Sequence, residues 1–127
     1  MRAIRRRAAA RAATRVFACG AHATVPPSVI GETSAGLYCE AGGFHIDPWL
    51  PVERAVITHA HSDHARPGSA GYLCASTGEA VLRRRLPDAR IETLPYGEPL
   101  TIGDARVSFH PAGHILGSAQ ILSLIHI

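Results

Sequence analysis

Short apolar runs, separated by glycine, proline and aspartate, make up most of the chain after residue 35. Their length and their content of β-branched and aromatic residues are typical of strands. Gly42-Gly43 predicts a hairpin between the first two runs, and Gly103-Asp104 predicts a turn between two later ones. The pattern predicts strands over residues 36–40, 44–47, 54–58, 72–75, 91–94, 100–102, 105–110 and from residue 117 onward.

Helical patterning is limited to one segment. Thr77 can cap a helix over residues 78–86, and Pro87 would end it. Many strands with few helices predict an α+β fold built on a mixed sheet, with chemistry carried by the loops.

Composition restricts the class of protein. A chain of 127 residues, with 46% hydrophobic and 18% charged residues, is long enough for one domain with a packed core. No run approaches the roughly 18 apolar residues that span a bilayer, which argues against an integral membrane protein. The three cysteines form no CxxC pair, which argues against a cysteine-rich zinc knuckle. Their odd number, without a convincing secretory signal, predicts reduced thiols and a cytoplasmic location. Cys39 and Cys74 lie in apolar runs and are expected to be buried.

The positive net charge of +3 comes from one end of the chain. Residues 1–31 hold six Arg and no acid, whereas the remainder holds seven Arg and ten acids. Basic charge is therefore no argument for a nucleic-acid partner. Residues 1–32 are interpreted as an Arg/Ala-rich leader, disordered or non-native, whose composition also resembles a transit peptide.

The C-terminal segment ILSLIHI is apolar and has no polar tail. A strand ending in this way would leave backbone groups unpaired. We therefore expect residues 33–127 to be a partial domain that is truncated at its C-terminus.

Candidate chemistry is concentrated in residues 59–64, which read HAHSDH. Four metal-ligating side chains follow a β-branched strand within six residues: His59, His61, Asp63 and His64. His59 and His61 can project to the same side of an extended segment, and the next two ligands turn toward a neighbouring direction. Imidazole and carboxylate suit Zn²⁺, although Mn²⁺ or Fe²⁺ is open from ligand type alone. A chance cluster of surface histidines is the alternative.

A second ligand source is His114, which follows a strand and is flanked by Gly113 and Gly117. Such glycines allow close approach of the backbone. His114 would complete a three-histidine set with His59 and His61, unless its ring is simply solvated in a loop.

The segments THAHSDH and AGHILGS together resemble the metallo-β-lactamase superfamily and, within it, the beta-CASP-like nuclease branch. GLYCEAGGFHIDPW and LPYGEPL are similar to bacterial ligase-associated DNA exonucleases, relatives of mRNA 3′-end processing factors. The resemblance covers about residues 33–122. It implies an αββα sandwich, of which this chain would hold the N-terminal half, with two divalent metal ions at the sheet edge.

The resemblance also implies a role for each site residue. His59, His61 and His114 would hold the first metal, and Asp63 and His64 the second. Asp47 would orient ligands without touching the metal. The family's bridging aspartate, its last histidine ligand and the beta-CASP insertion would lie beyond residue 127.

Three hypotheses follow for the function. The first is a zinc-dependent phosphodiesterase, a DNA exonuclease (with RNA open as substrate) that acts beside a DNA ligase in repair. Its two cations would activate water, and Asp63 would help to position this nucleophile as a catalytic residue. The second is a hydrolase of a small thioester or lactam on the same fold. The third is an inactive fragment, because half a sandwich leaves an apolar face exposed.

Other polar and aromatic residues receive ordinary interpretations. Arg83, Arg84 and Arg85 predict a solvated helix end whose charges favour the helix dipole. Ser62 can cap a helical turn beside Asp63. Trp49 is expected to pack beneath the metal-binding loop.

Overall fold

The computed structural model of the protein describes residues 28–125, so most of the predicted leader and His126 lie outside the described residues. Strands dominate this part of the chain, with one short α-helix, α1 (Glu79–Arg85), directly preceded by a 3-10 turn at Ser76–Gly78. The strands are β1 (Gly31–Thr33), β2 (Gly36–Cys39), β3 (Phe44–Ile46), β4 (Arg54–Val56), β5 (Gly71–Ala75), β6 (Ile91–Leu94), β7 (Pro99–Ile102), β8 (Ala105–Pro111) and β9 (Ala119–Ile125).

The first six strands form one mixed sheet in the order β1-β2-β3-β4-β5-β6. Strands β1 to β3 pair antiparallel, and β2 and β3 form the hairpin predicted at Gly42-Gly43. Strands β3 to β6 are parallel to one another. The prediction of an α+β fold with a mixed sheet is therefore confirmed.

The last three strands form a second, antiparallel sheet in the order β7-β8-β9. Its inward side chains share one core with the first sheet, in which Phe44 and Val56 of the first sheet join Val107 and Phe109 of the second. All four side chains are fully buried. Period-two alternation along β8 explains this arrangement, because every second residue from Ala105 to Phe109 points inward.

Helix α1 covers the opposite face of the first sheet. Its buried residue Leu82 packs with Leu86 against Ala55, Ile57 and Tyr72. Ala60 and Ala65, from the loop that follows β4, belong to the same cluster. The described chain thus has a helix and a loop on one face of the mixed sheet and a second sheet on the other.

Two predicted boundaries are wrong. Thr77 does not cap the helix: it lies within the 3-10 turn, and the first helical turn has Gly78 at its N-cap with no side-chain hydrogen bond. The last strand begins at Ala119 and not at Gly117, because Gly117 and Ser118 belong to a tight loop whose backbone turns back on itself.

The interpretation of Trp49 is also wrong. Its indole is half exposed and covers Gly36 at the start of the first hairpin, and its Nε1 donates to the carbonyl of Ser34 at 2.8 Å. The backbone N–H of Trp49 also donates to the carbonyl of Ala35 at 3.0 Å, so Trp49 is held against the hairpin and not beneath the loop after β4.

The outer face of the second sheet carries exposed apolar side chains. Leu122 and Leu124 are 47% and 52% exposed, and they stand opposite Ser108 and Arg106 on β8. The described part of the chain contains no helix with the length and hydropathy needed to cross a membrane.

We expect Phe109→Ala to lower the free energy of unfolding by about 3–5 kcal/mol, because it leaves a cavity where the two sheets meet. Leu124→Ala, on the outer face of the same sheet, should change it by only about 0.5 kcal/mol. Urea denaturation of both variants measures the difference. Equal losses would mean that the core does not lie between the sheets.

Candidate metal centre

The candidate ligands lie at one edge of the molecule, where three segments meet. Asp47 directly follows β3, residues 57–65 follow β4, and residues 112–118 connect β8 to β9. The backbone N–H of Ala119 donates to the carbonyl of Thr58 at 2.8 Å and so joins the start of β9 to the loop after β4. Because β3 and β4 are parallel, their carboxyl ends reach this edge together.

Three imidazoles converge, as the sequence predicts. Nε2 of His59 lies 3.1 Å from Nδ1 of His61, and Nε2 of His114 lies 3.3 Å from the same Nδ1. The three residues form a group whose ligand atoms all lie within 4.8 Å of one another. The ring of His61 is exposed and that of His59 is partly buried. His61 and His114 come from separate segments and are 53 positions apart in the chain.

The spacing of these nitrogens fits a shared cation. Two nitrogens bound at 2.0–2.1 Å to a tetrahedral Zn²⁺ are separated by about 3.3 Å. The two separations that centre on His61 are close to this value. Without a cation, a single N–H on His61 Nδ1 could satisfy only one of the two facing nitrogens. The group is therefore suited to bind a metal ion through neutral imidazoles.

The carboxylate of Asp47 determines which nitrogen of each neighbouring imidazole is free. Its Oδ1 accepts the backbone N–H of Thr58 at 2.8 Å, and its Oδ2 accepts the Thr58 hydroxyl and Nδ1 of His64, the latter at 2.7 Å. Since a carboxylate only accepts, the Thr58 hydroxyl must donate to it and accept from Nδ1 of His59, 2.9 Å away. Both imidazoles then carry hydrogen on Nδ1 and present the Nε2 lone pair.

Asp47 therefore acts on the candidate ligands through hydrogen bonds and not as a ligand itself. Asp47, His59 and His64 also lie close enough together to hold a cation. However, the Asp47 oxygens are already engaged by hydrogen bonds from the loop, which favours the orienting role that the resemblance implies. The residue keeps a left-handed backbone (φ 44°), and such strain at a non-glycine residue is typical of functional sites.

Asp63 and His64 form a second pair of ligand atoms beside the three histidines. Oδ2 of Asp63 lies 3.4 Å from Nε2 of His64, and the Asp63 side chain is 70% exposed. The rings of His59 and His64 are 4.0 Å apart between centroids, so the two sets are adjacent. A single turn shapes this segment, with the N–H groups of His64 and Ala65 both donating to the carbonyl of His61. Within the described residues the Ser62 side chain makes no hydrogen bond to this turn, so the prediction that it caps the turn is wrong.

The loop that carries His114 is held by Ser118. The hydroxyl oxygen of Ser118 accepts the backbone N–H groups of His114 and Ile115, at 3.0 and 3.2 Å. The hydroxyl of Tyr96 in turn donates to the carbonyl of Ser118 at 2.8 Å. These bonds close the segment AGHILGS into a compact loop and direct the imidazole toward the other two histidines.

Two glycines place this loop against the start of the helix. A Cβ on Gly117 would lie 2.1 Å from the Cα of Gly78, and Gly117 has a left-handed backbone (φ 77°). The sequence marks Gly117 as permissive for close approach, but it does not show that Gly78 is its partner.

Burial lowers the pKa of His59 below its ordinary value of 6.5, and the neighbouring His64 lowers it further. Asp47 acts in the opposite direction with a smaller effect. The imidazole is therefore neutral at neutral pH, which is the form that binds a metal.

A cysteine nucleophile has no support at this edge. Cys39 and Cys74 are buried and unbridged, as predicted. Burial raises the pKa of the Cys74 thiol to about 11, with a further contribution from Glu79. A thiol with such a high pKa stays protonated at neutral pH and is unreactive.

Sequence reasoning missed several residues that support the site. Thr58 carries the hydrogen bonds between Asp47 and His59, and only a strand end was predicted there. Arg85, interpreted as a solvated residue at the helix end, has a bond to the loop after β4: its Nε donates to the carbonyl of Ala60.

His110, by contrast, lies on β8 with its Nε2 2.9 Å from the Ser108 hydroxyl, and none of its described contacts joins it to the ligands.

We expect Gly117→Ala to destabilise the fold more than Gly113→Ala. Both glycines have left-handed backbones in the same loop, so either substitution adds strain of about 1–2 kcal/mol. Only the new Cβ at residue 117 collides with a neighbour, which should cost a further 1–3 kcal/mol or so. Urea denaturation of both variants measures the difference, and equal losses would argue against the contact with Gly78.

The pKa of His59 predicts a pH dependence of stability in metal-free protein. Because its folded-state pKa is lower than 6.5, the unfolded chain binds more protons as the pH falls through this value. The contribution of His59 to stability is then present at pH 7 and decreases as the pH falls below 6.5. Denaturation with a chelator should show a weaker fall for His59→Phe than for the parent. Identical pH profiles would contradict the assignment.

Comparison with known proteins gives a DNA-related relative. The chain is 46% identical over 92 residues to a protein of Opitutus terrae named a probable DNA ligase. The aligned part makes up 70% of this chain and only 9% of that protein. The chain therefore spans a small part of the length of its relative. No family model matches the chain.

Proposed function

We propose that this chain carries the N-terminal part of a two-metal hydrolase site, in a phosphodiesterase of metallo-β-lactamase fold that degrades DNA. The observation that carries the proposal is the convergence of His59, His61 and His114 on one point, with Asp63 and His64 beside them. A cluster of chance surface histidines would have no reason to include a ring from a segment 53 residues away.

The arrangement of layers supports the fold in this proposal. A helix on one face of a mixed sheet, and a second sheet on its other face, account for three layers of an αββα sandwich. The exposed Leu122 and Leu124 mark the face on which a fourth layer would pack. The candidate ligands also lie at the sheet edge, where the resemblance predicts them.

The residues present suit divalent zinc, with manganese and iron as alternatives. His59, His61 and His114 would hold one ion, and Asp63 and His64 would contribute to holding a second. When bound, the two ions would activate water and stabilise negative charge on a phosphate. Asp63, which is exposed and at the rim of the site, would position the water that attacks the phosphorus. Asp47 and Thr58 would keep the imidazoles in the binding tautomer.

DNA is the substrate that the observations favour. The Opitutus terrae relative is named a probable DNA ligase, and the motifs of this chain resemble those of ligase-associated DNA exonucleases. An exonuclease that acts beside a ligase, in repair, is consistent with both. A small thioester or lactam substrate is the alternative within the same fold, and it lacks support of this kind.

We expect nuclease activity to depend on the ligands named above. In a form of the protein that includes the further ligands implied by the resemblance, His59→Ala and Asp63→Ala should each lower the rate of DNA degradation at least about a hundredfold. His110→Ala is the control, because its ring bonds to Ser108 on β8 and should leave the rate unchanged. Release of nucleotides from linear duplex DNA, with and without a chelator, is the measurement.

The outcomes separate the three hypotheses. Full activity in both ligand variants would refute the assignment of the site. Hydrolysis of a thioester or lactam, without release of nucleotides, would favour the second hypothesis. For the 127-residue chain by itself we expect weak activity at most, since the resemblance places further ligands outside it.

A further inference from the structure

Arg85 makes a contact that joins the helix to the middle of the metal-binding loop. Its Nε donates to the carbonyl oxygen of Ala60, the residue between His59 and His61. Residues 60 and 85 are 25 positions apart, so the bond reflects tertiary structure and not local chain geometry.

The two neighbouring arginines behave differently. Arg83 pairs with Glu79 at 2.8 Å on the helix surface, an i,i+4 ion pair of the ordinary kind. For Arg84, the described part of the chain shows no hydrogen bond or ion pair of the side chain. Of the three residues, Arg85 alone reaches the loop. Arg84 therefore offers a control with the same charge and a similar position.

The bond acts at a part of the loop where no other hydrogen bond to the backbone is described. Before it, Thr58 is held by Asp47, and after it the carbonyl of His61 accepts two N–H groups. Within the described residues, no other hydrogen bond reaches the backbone of His59 or Ala60. The methyl group of Ala60 is buried under the helix, so one side-chain packing contact and one hydrogen bond determine the orientation of this peptide.

The orientation of that peptide decides where the imidazoles point. His59 and His61 flank Ala60, and rotating its peptide plane would change the separation of their ring nitrogens from the 3.1 Å that suits a shared cation. A hydrogen bond to the Ala60 carbonyl opposes this rotation. Arg85 also keeps its charge close to the loop without being a ligand.

We propose that Arg85 is a positioning residue for the metal centre, acting through its Nε–H bond to the Ala60 carbonyl. This inference rests on the proposed function, because it takes the histidines to be metal ligands. It adds a residue from helix α1 that neither the motifs nor the resemblance identifies. It also specifies the atom through which the residue acts.

The test compares Arg85→Gln with Arg85→Met in the 127-residue chain. The amide nitrogen of Gln occupies the position of Nε along the side chain and can donate to the carbonyl, whereas Met places a methyl group there. Both variants lose the positive charge, so they differ mainly in the donor. Arg84→Met reports the effect of losing an arginine charge from the same helix end.

The measurements are the affinity for Zn²⁺, by competition with a chelating dye, and the visible spectrum of bound Co²⁺. No DNA is present, so a phosphate contact of Arg85 cannot contribute. We expect Arg85→Met to weaken metal binding about 10- to 100-fold, as removal of an outer-shell partner does, and to alter the Co²⁺ bands. Arg85→Gln and Arg84→Met should stay within about threefold of the parent, with its spectrum retained.

Two results would overturn the proposal. Unchanged affinity in Arg85→Met would show that the bond does not position the ligands, and equal losses in the Gln and Met variants would assign the effect to the charge. Circular dichroism and thermal unfolding with a chelator verify that each variant folds. If the parent binds no metal, the metal centre is itself wrong and this inference fails with it. If the parent binds metal and Arg85→Met binds it equally well, the role of Arg85 is refuted and the metal centre stands.

Discussion

The carboxylate of Asp47 is the group on which the arrangement of the site depends. It stands at the end of β3 and accepts hydrogen bonds from the backbone and hydroxyl of Thr58 and from the ring of His64. One side chain thus joins the ends of two parallel strands and sets the proton positions on two imidazoles. The left-handed backbone at Asp47 is unfavourable by itself, and these hydrogen bonds hold it in place. Without them, His59 and His64 would have no defined tautomer.

The second sheet also contributes directly to the site, because the loop between β8 and β9 carries the third histidine, His114. The core shared by Phe44 and Phe109 holds the sheets together, and the start of β9 bonds to Thr58. The contact between Gly78 and Gly117 then seats the loop of His114 against the start of helix α1. Packing of the two sheets and assembly of the candidate metal centre are therefore the same event.

Helix α1 supports the site from the other face of the mixed sheet. Leu82 packs in the cluster that buries Ala60, and Arg85 bonds to the same residue's carbonyl. The candidate ligands are themselves largely exposed, while the groups that hold them are buried or bonded within the fold. This division leaves the candidate ligands accessible from solvent while the fold holds them in place.

Local sequence patterns were enough to predict most of the strands, the hairpin at Gly42-Gly43 and the grouping of His59, His61, Asp63 and His64, because these follow from a period of two residues or from adjacency in the chain. They missed β1, which consists of three exposed residues without an apolar run. Motifs in the sequence also pointed to His114 and Asp47. The packed fold was needed to show that Thr58 links Asp47 to His59 by hydrogen bonds, that Gly117 contacts Gly78 and that Arg85 bonds to Ala60. Arg85 and Gly117 meet partners that lie 25 and 39 positions away in the chain. Thr58 lies beside His59 but 11 positions from Asp47. No local pattern specifies such pairs, since they arise from the way the two sheets and the helix pack.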